Sequence, residues 1–336
     1  MWGQGLLPAD KFVQKICDWL ATQRHEGVCF EPVLTSYAHS GATARATRRD
    51  QSPPLWGEIP EPAPSIGAQL EHAIADSATG QGVDLVLLNG GINDISAFGV
   101  VVGNPYDANG VEVVVSETRT KLTCFMVPLI ERALAAFPHA NIVVLGYYPV
   151  ISRRTDARQL ARLIKHLPRV PGAPNLFDEF FEHLPDDAIE STIALEKDRM
   201  VEQSAAFAEA ARTVFSTTVA SLSTTRRVFY ADVDFDERNS FATTEGSWLW
   251  GGNDDPMHGE RIAKYAEQLQ RRPLAPLDWP LYTPIASLCH PNERGSAAYA
   301  ECIREILQKV PVLYWRAARE STQPNAEARA TGLRVG

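Results

Sequence analysis

The sequence lacks most of the features that would assign it quickly. It has no apolar run of the ~18 residues that a membrane-spanning helix needs, and no basic-then-apolar leader follows Met1. Both absences argue against a membrane span. It lacks a block of positive charge: basic residues gather only in short pieces such as Arg153-Arg154 and Arg271-Arg272, and the net charge is −9. That balance disfavours nucleic acid and anionic membranes as partners. Its five cysteines (Cys17, Cys29, Cys124, Cys289 and Cys302) are odd in number and never spaced as CxxC. Neither a disulfide framework nor a zinc site is implied, and they read as buried or free thiols. No GxGxxG or GxxxxGK[ST] loop stands at a strand end, which disfavours a flavodoxin-like phosphate- or nucleotide-binding module.

What is present is a soluble globular composition, with 45% hydrophobic and 22% charged residues in a chain of 336. That is enough for one large core. Strand-like runs occur at Phe30 to His39, Val83 to Gly91, Asn141 to Val150 and Arg227 to Phe235, each too continuously apolar or too short for a surface helix. Between them, Pro8 to Gln23, Ile66 to Ala78 and Glu117 to Phe137 carry apolar residues at helical spacing, with a kink expected at Pro128. Strands alternating with helices imply a parallel sheet covered on both faces. Residues 48–64 are too proline-rich for either element. Residues 151–226 are mostly helical and read as an inserted helical cap, and the tail from Glu320 to Gly336 lacks apolar periodicity and reads as disordered. The organisation expected is one domain over 1–319, with the insertion inside it.

In an open parallel sheet the ligand site lies at the carboxyl ends of the strands. Three islands fall there: "YAHSGAT", "GGIND" and "SLCHPNERGSAAYA". Gly41 can present a backbone N–H to an anion, although a glycine there is more often a plain turn. Asn93 can aim its amide at a developing oxyanion, against the commoner reading of Asn-Asp as a helix N-cap. His290, just before a proline and a helix, can act as a general base, against the bland reading of a solvated histidine. Taken together, a glycine N–H, an asparagine amide and a histidine in this order supply an oxyanion hole and a base for acyl transfer.

This combination resembles the SGNH (GDSL) family of serine ester hydrolases. Gly91 to Asp94, "GIND", matches that family's third block, "SGAT" around Gly41 its second, and Cys289 to Gly295, "CHPNERG", looks like its last. "LGYYPVIS", Leu145 to Ser152, is similar to a strand end common among its members. The resemblance covers roughly residues 1–150 and 228–312. It implies a three-layer α/β/α sandwich with a mostly parallel, flavodoxin-like sheet. It also implies hydrolysis of a small-molecule ester without metal or organic cofactor, with catalytic residues His290, Asn93 and Gly41.

Two departures from the family pattern stand out. Its acid usually lies three residues before the histidine, a position held here by Ser287; a backbone carbonyl can orient the ring instead, and Asp254 or Asp255 could fold back to supply the acid. His258 is a rival base, in an Asn-Asp-Asp-Pro turn without helix-opening context. The family's nucleophile belongs to a Gly-Asp-Ser segment ending the first strand, and "MWGQGL" resembles the residues just after that serine. The expectation is that the serine and its interior strand lie upstream of Met1, so that the chain as written is inactive. Ser36 and Ser40 are the nearest substitutes in sequence. Localisation is cytoplasmic by default, with secretion left open by the expected upstream residues, and the alternative function is a catalytically inactive SGNH-like binding protein.

Overall fold

The computed structural model describes residues 4–25, 28–51, 54–77, 82–95, 110–166, 185–244, 246–251, 255–271, 286–310 and 332–335. A short antiparallel hairpin, β1 (Arg24–His25) and β2 (Val28–Cys29), precedes the strands that the apolar runs foretold. Those strands are shorter than the runs: β3 (Glu31–Leu34), β4 (Leu85–Leu88), β5 (Asn141–Leu145) and β6 (Val228–Ala231). Most of the remainder of each run lies in the loop that follows its strand. β4 pairs in parallel with β5, Leu85 opposite Asn141, and β5 with β6, Ile142 opposite Val228. The protein is therefore mixed α/β, with a small parallel sheet at its centre.

Alternate residues of these strands serve two separate cores, as the period of two requires. Leu85, Val143 and Leu145 join one with Phe12, Ile16 and Leu20 of helix α1 (Phe12–Thr22). Val86, Leu88, Ile142 and Val144 join the other with Ile66 and Leu70 of α2 (Ile66–Asp76). Spacing by four along α1 is what brings its three apolar residues to one face. α2 starts at Ser65, whose hydroxyl accepts the Ala68 N–H at 3.2 Å.

After β4 comes a single turn, α3 (Ile92–Ile95), and then α4 (Gly110–Lys121). The kink expected at Pro128 takes the form of a π-helical turn, Leu122–Met126, leading into α5 (Val127–Ala136). Proline has no N–H to give and its ring crowds the carbonyl four residues back, and widening the preceding turn relieves both. Between β5 and β6 run α6 (Ala157–His166) and the 36-residue α7 (Asp186–Ser221). Phe207, Ala211 and Phe215 of α7 lie in the sheet's second core, while Ile189, Ile193 and Met200 extend into the first. The middle of the region read as an insertion, 167–184, lies outside the described residues. Among the described residues two helices come after β6, α8 (His258–Arg271) and α9 (Glu293–Lys309). Among the described residues no helix is long and apolar enough to cross a membrane.

The tail departs from expectation. Gly332–Val335, within the segment read as disordered, forms a strand, β7, that enters the sheet between β3 and β4. The resulting order is β3-β7-β4-β5-β6, with every pair in it parallel. β7 thus holds an interior position in the sheet, with β3 on one side and β4 on the other. An empty position there would leave facing rows of buried N–H and C=O groups unpaired, at about 1 to 3 kcal/mol each. Any segment able to extend into the position is driven to do so.

Candidate functional site

At the carboxyl end of β4, Gly90 and Gly91 carry the chain over the edge of the sheet into α3. Gly91 has φ +98°, and a Cβ there would lie 2.3 Å from Leu122 Cδ2, so both conformation and space exclude a side chain. This turn places Asn93 and Asp94 against the Gly41 loop. The Asn93 amide donates to the Ala42 carbonyl at 2.9 Å, and the Asp94 carboxylate accepts the N–H groups of Ala44 at 2.7 Å and Arg45 at 2.9 Å. The Asn-Asp pair thus lies within α3 and does not cap it. It stitches one strand-end loop to the other.

Gly41 is at φ +75°, and a Cβ there would fall 2.6 Å from Glu61 N. Its neighbours are tied down, Ser40 N–H to Gly57 O at 2.8 Å and Ala42 N–H to His39 O at 3.4 Å. Among the described residues the Gly41 N–H meets no acceptor. The structure therefore brings together two of the three expected site residues, Gly41 and Asn93, through the Ala42 carbonyl.

His290 stands in a turn braced on several sides. Its backbone carbonyl accepts the Trp250 N–H at 2.9 Å, and Asn292 N–H reaches Trp248 O at 2.8 Å, so that the Ser247 to Trp250 segment runs antiparallel to it. Trp248 packs edge-on against Phe235 with ring centroids 5.0 Å apart. Asn292 caps α9 by accepting from Arg294 N at 2.9 Å and Gly295 N at 3.2 Å. Cys289 before the histidine adopts φ +59°, a strained conformation for a side chain with a Cβ, and burial pushes its thiol up to about 12.

The His290 Nδ1 lies 3.1 Å from the Leu288 carbonyl, an arrangement that puts the proton on Nδ1 and leaves the Nε2 lone pair to take another. The ring is half-buried, and its desolvation lowers its pKa to about 4, against the opposing pull of the Glu58 carboxylate nearby. At neutral pH the ring is an uncharged base. Ser287 donates its hydroxyl to Asp255 at 2.6 Å, and Asp255 is buried against Arg261. Asp255 thus engages the turn below the histidine, and among the described residues its carboxylate does not reach the ring; Asp254 lies outside them. His258 opens the 14-residue α8, contrary to the expectation of a helix-free context.

Glu58 links the two halves of the site. It accepts the Gly5 N–H at 2.9 Å and Lys11 Nζ at 2.7 Å, and it is adjacent to Gly57, which holds Ser40. Gly5 in turn fits so closely that a Cβ would lie 2.7 Å from that of Ser287 and 2.8 Å from that of Asp255. Residues 4 and 5 are therefore wedged between the histidine turn and the Gly41 loop. Ser40 is buried and Ser36 exposed, and among the described residues neither hydroxyl meets a histidine. No hydrogen bond among the described residues joins His290 directly to Gly41 or Asn93.

Three residues here escape a reading of the sequence. Tyr147, following β5, accepts the Ile92 N–H at 3.1 Å, and Tyr148 donates to the Cys289 carbonyl at 2.7 Å. Burial raises the pKa of both phenols, so they stay protonated. His39 is buried with Nδ1 2.8 Å from Ser40 O and Nε2 3.1 Å from Leu55 O, beside Glu61 at 3.6 Å. The "GYYP" strand end was the available signal for the tyrosines; nothing in "YAHSG" separates His39 from a surface histidine. Comparison with known families, curated proteins and solved structures found no match to the chain.

Proposed function

We propose that the protein is an ester hydrolase of the SGNH type, built as a three-layer α/β/α sandwich. One observation carries this reading: Asn93 and Asp94 bind the Gly41 loop so that a backbone N–H and a side-chain amide share one rim. Two such donors, fixed before the substrate arrives, suit the negative charge of a tetrahedral acyl intermediate. The neutral His290, with Nδ1 engaged by Leu288 O, suits the base, the carbonyl doing the orienting that a carboxylate does in a triad.

The nucleophile in this reading is a serine on a strand ahead of Met1. Its Oγ attacks the ester carbonyl carbon while its proton passes to His290 Nε2. The oxyanion rests on Gly41 N–H and the Asn93 amide. Collapse of the intermediate breaks the bond to the alcohol, which leaves with the proton from His290. Water then attacks the acyl-serine by the same route in reverse and releases the carboxylic acid. The substrate is a small-molecule ester.

The test extends the chain ahead of Met1 with an apolar strand ending in Gly-Asp-Ser and monitors hydrolysis of an aryl acetate. Turnover that falls about 100- to 1000-fold on Asn93→Ala supports the assignment. Turnover indifferent to Asn93 sinks it, and ligand binding without any turnover supports the noncatalytic alternative.

A further inference from the structure

The position between β3 and β4 is only half filled. β7 aligns four residues with β3, Gly332 to Val335 against Glu31 to Leu34, but a single one with β4, Val335 against Leu85. On that side Val86, Leu87 and Leu88 have no strand partner among the described residues, although on their other side they pair fully with β5. Beside them lies a cavity of about 610 Å³. Its walls come from both faces of the sheet: Phe12 and Val13 of α1 on one, Ile66 and Leu70 of α2 on the other, with Leu34 and Leu87 between. A cavity that touches both layers passes through the plane of the sheet, and it does so where, among the described residues, β4 has no strand beside it. Asn89, the next residue after β4, lines the same cavity, and its buried Oδ1 meets no donor among the described residues.

β7 is also a poor sequence for its place. Interior parallel strands read as continuous apolar runs, as "LVLL" of β4 and "NIVVL" of β5 do. "GLRV" has a glycine and an arginine among its four residues. Its claim on the position rests on being tethered to the molecule.

We propose that the β3–β4 gap is a strand-acceptor site and that β7 is its displaceable occupant. A longer apolar strand entering parallel to β3 and β4 expels it. This rests on the reading above, because the incoming strand is the one that carries the nucleophile. Its upper residues meet Val86 to Leu88 and Asn89, and its end arrives beside the Gly41 and Asn93 loops. While β7 is in place the nucleophile strand cannot seat, so the tail acts as an autoinhibitory strand of the hydrolase.

Hydrogen–deuterium exchange on the whole chain tests the displacement without recourse to turnover. The probe is a soluble synthetic peptide of alternating valine and isoleucine, led by a lysine and ending in Gly-Asp-Ser. At saturation, Leu333 to Val335 should exchange about tenfold faster or more, while Val33 and Leu34 stay protected and Val86 to Leu88 become slower. The double variant Leu333→Pro, Arg334→Pro removes the one of these two N–H groups that faces β3, stiffens the occupant, and should tighten peptide binding about tenfold or more. Tail exchange unaltered by saturating peptide overturns the proposal, as does equal peptide affinity in the proline variant. Failure of the hydrolase reading shows elsewhere, as an extended chain in which the peptide's strand is seated but esters survive.

Discussion

Tyr147 and Tyr148 sit side by side at the end of β5 and send their hydroxyls to opposite halves of the site, one to the Ile92 N–H and the other to the Cys289 carbonyl. Neighbouring residues in extended backbone point to opposite faces of a sheet. The pair uses that geometry to brace the asparagine loop from one side and the histidine turn from the other, so one strand end sets the spacing of both.

Removing either hydroxyl should loosen only its own half. Tyr147→Phe leaves a backbone N–H without its acceptor and should cost about 1 to 3 kcal/mol; Tyr148→Phe deprives a carbonyl of one donor and should cost about 1 kcal/mol. Urea denaturation measures both. Equal stability of the two variants and the parent would show that the hydroxyls hold nothing.

Asp94 should matter more to stability than an exposed carboxylate does, because it satisfies two backbone N–H groups of a facing loop. Asp94→Ala is expected to cost about 2 kcal/mol or more, and Asp94→Asn, which keeps one acceptor, clearly less. The ordering of the two, read from their denaturation midpoints, is the decisive quantity.

Two helical glycines make a matched pair. A Cβ at Gly295 would lie 2.5 Å from the Trp248 carbonyl, whereas one at Gly259 meets nothing within 4 Å. Gly259→Ala should leave the protein unchanged or more stable by about 0.4 to 1 kcal/mol. Gly295→Ala should destabilise it by about 1 to 3 kcal/mol and shift the His290 resonance, since the displaced Trp248 segment also holds the histidine turn. A stabilising Gly295→Ala would refute the packing described.

Stability should fall with acid over a definite window. His290 titrates at about 4 in the folded protein, below its ordinary value, and burial lowers His39 in the same direction. Between about 6.5 and about 4 the unfolded chain therefore binds protons that the native one refuses. The contribution is complete above pH ~6.5 and is lost as pH drops towards ~4. Urea midpoints collected across this range should show a shallower decline for His290→Asn than for the parent.

Much of this was legible in the residues. The four apolar runs marked the strands of the sheet, and the Gly-Gly-Ile-Asn-Asp and Ser-Gly-Ala-Thr islands marked loops that do meet, because glycine at a strand end advertises a turn whose conformation other residues resist. What Asp94 does was hidden, since a carboxylate that caps a helix and one that crosses to another loop look alike in one dimension. β7 was hidden for a different reason: four residues with a glycine and an arginine carry no strand pattern of their own, and their pairing is imposed by a gap formed elsewhere. Ser287 illustrates a third case, in which the expected acid is absent from its position and a buried carboxylate from another loop, Asp255, engages the serine in its stead.

The placement of β7 also sets a clock. Its partners in β3 precede it by roughly 300 residues, a stretch that takes on the order of 15 to 60 seconds to synthesise at ordinary rates of translation. For most of that interval β3 and β4 are both made while β7 is not. Until β7 emerges, the position is open to whatever strand comes first, whether from ahead of β3, from a chaperone or from another chain.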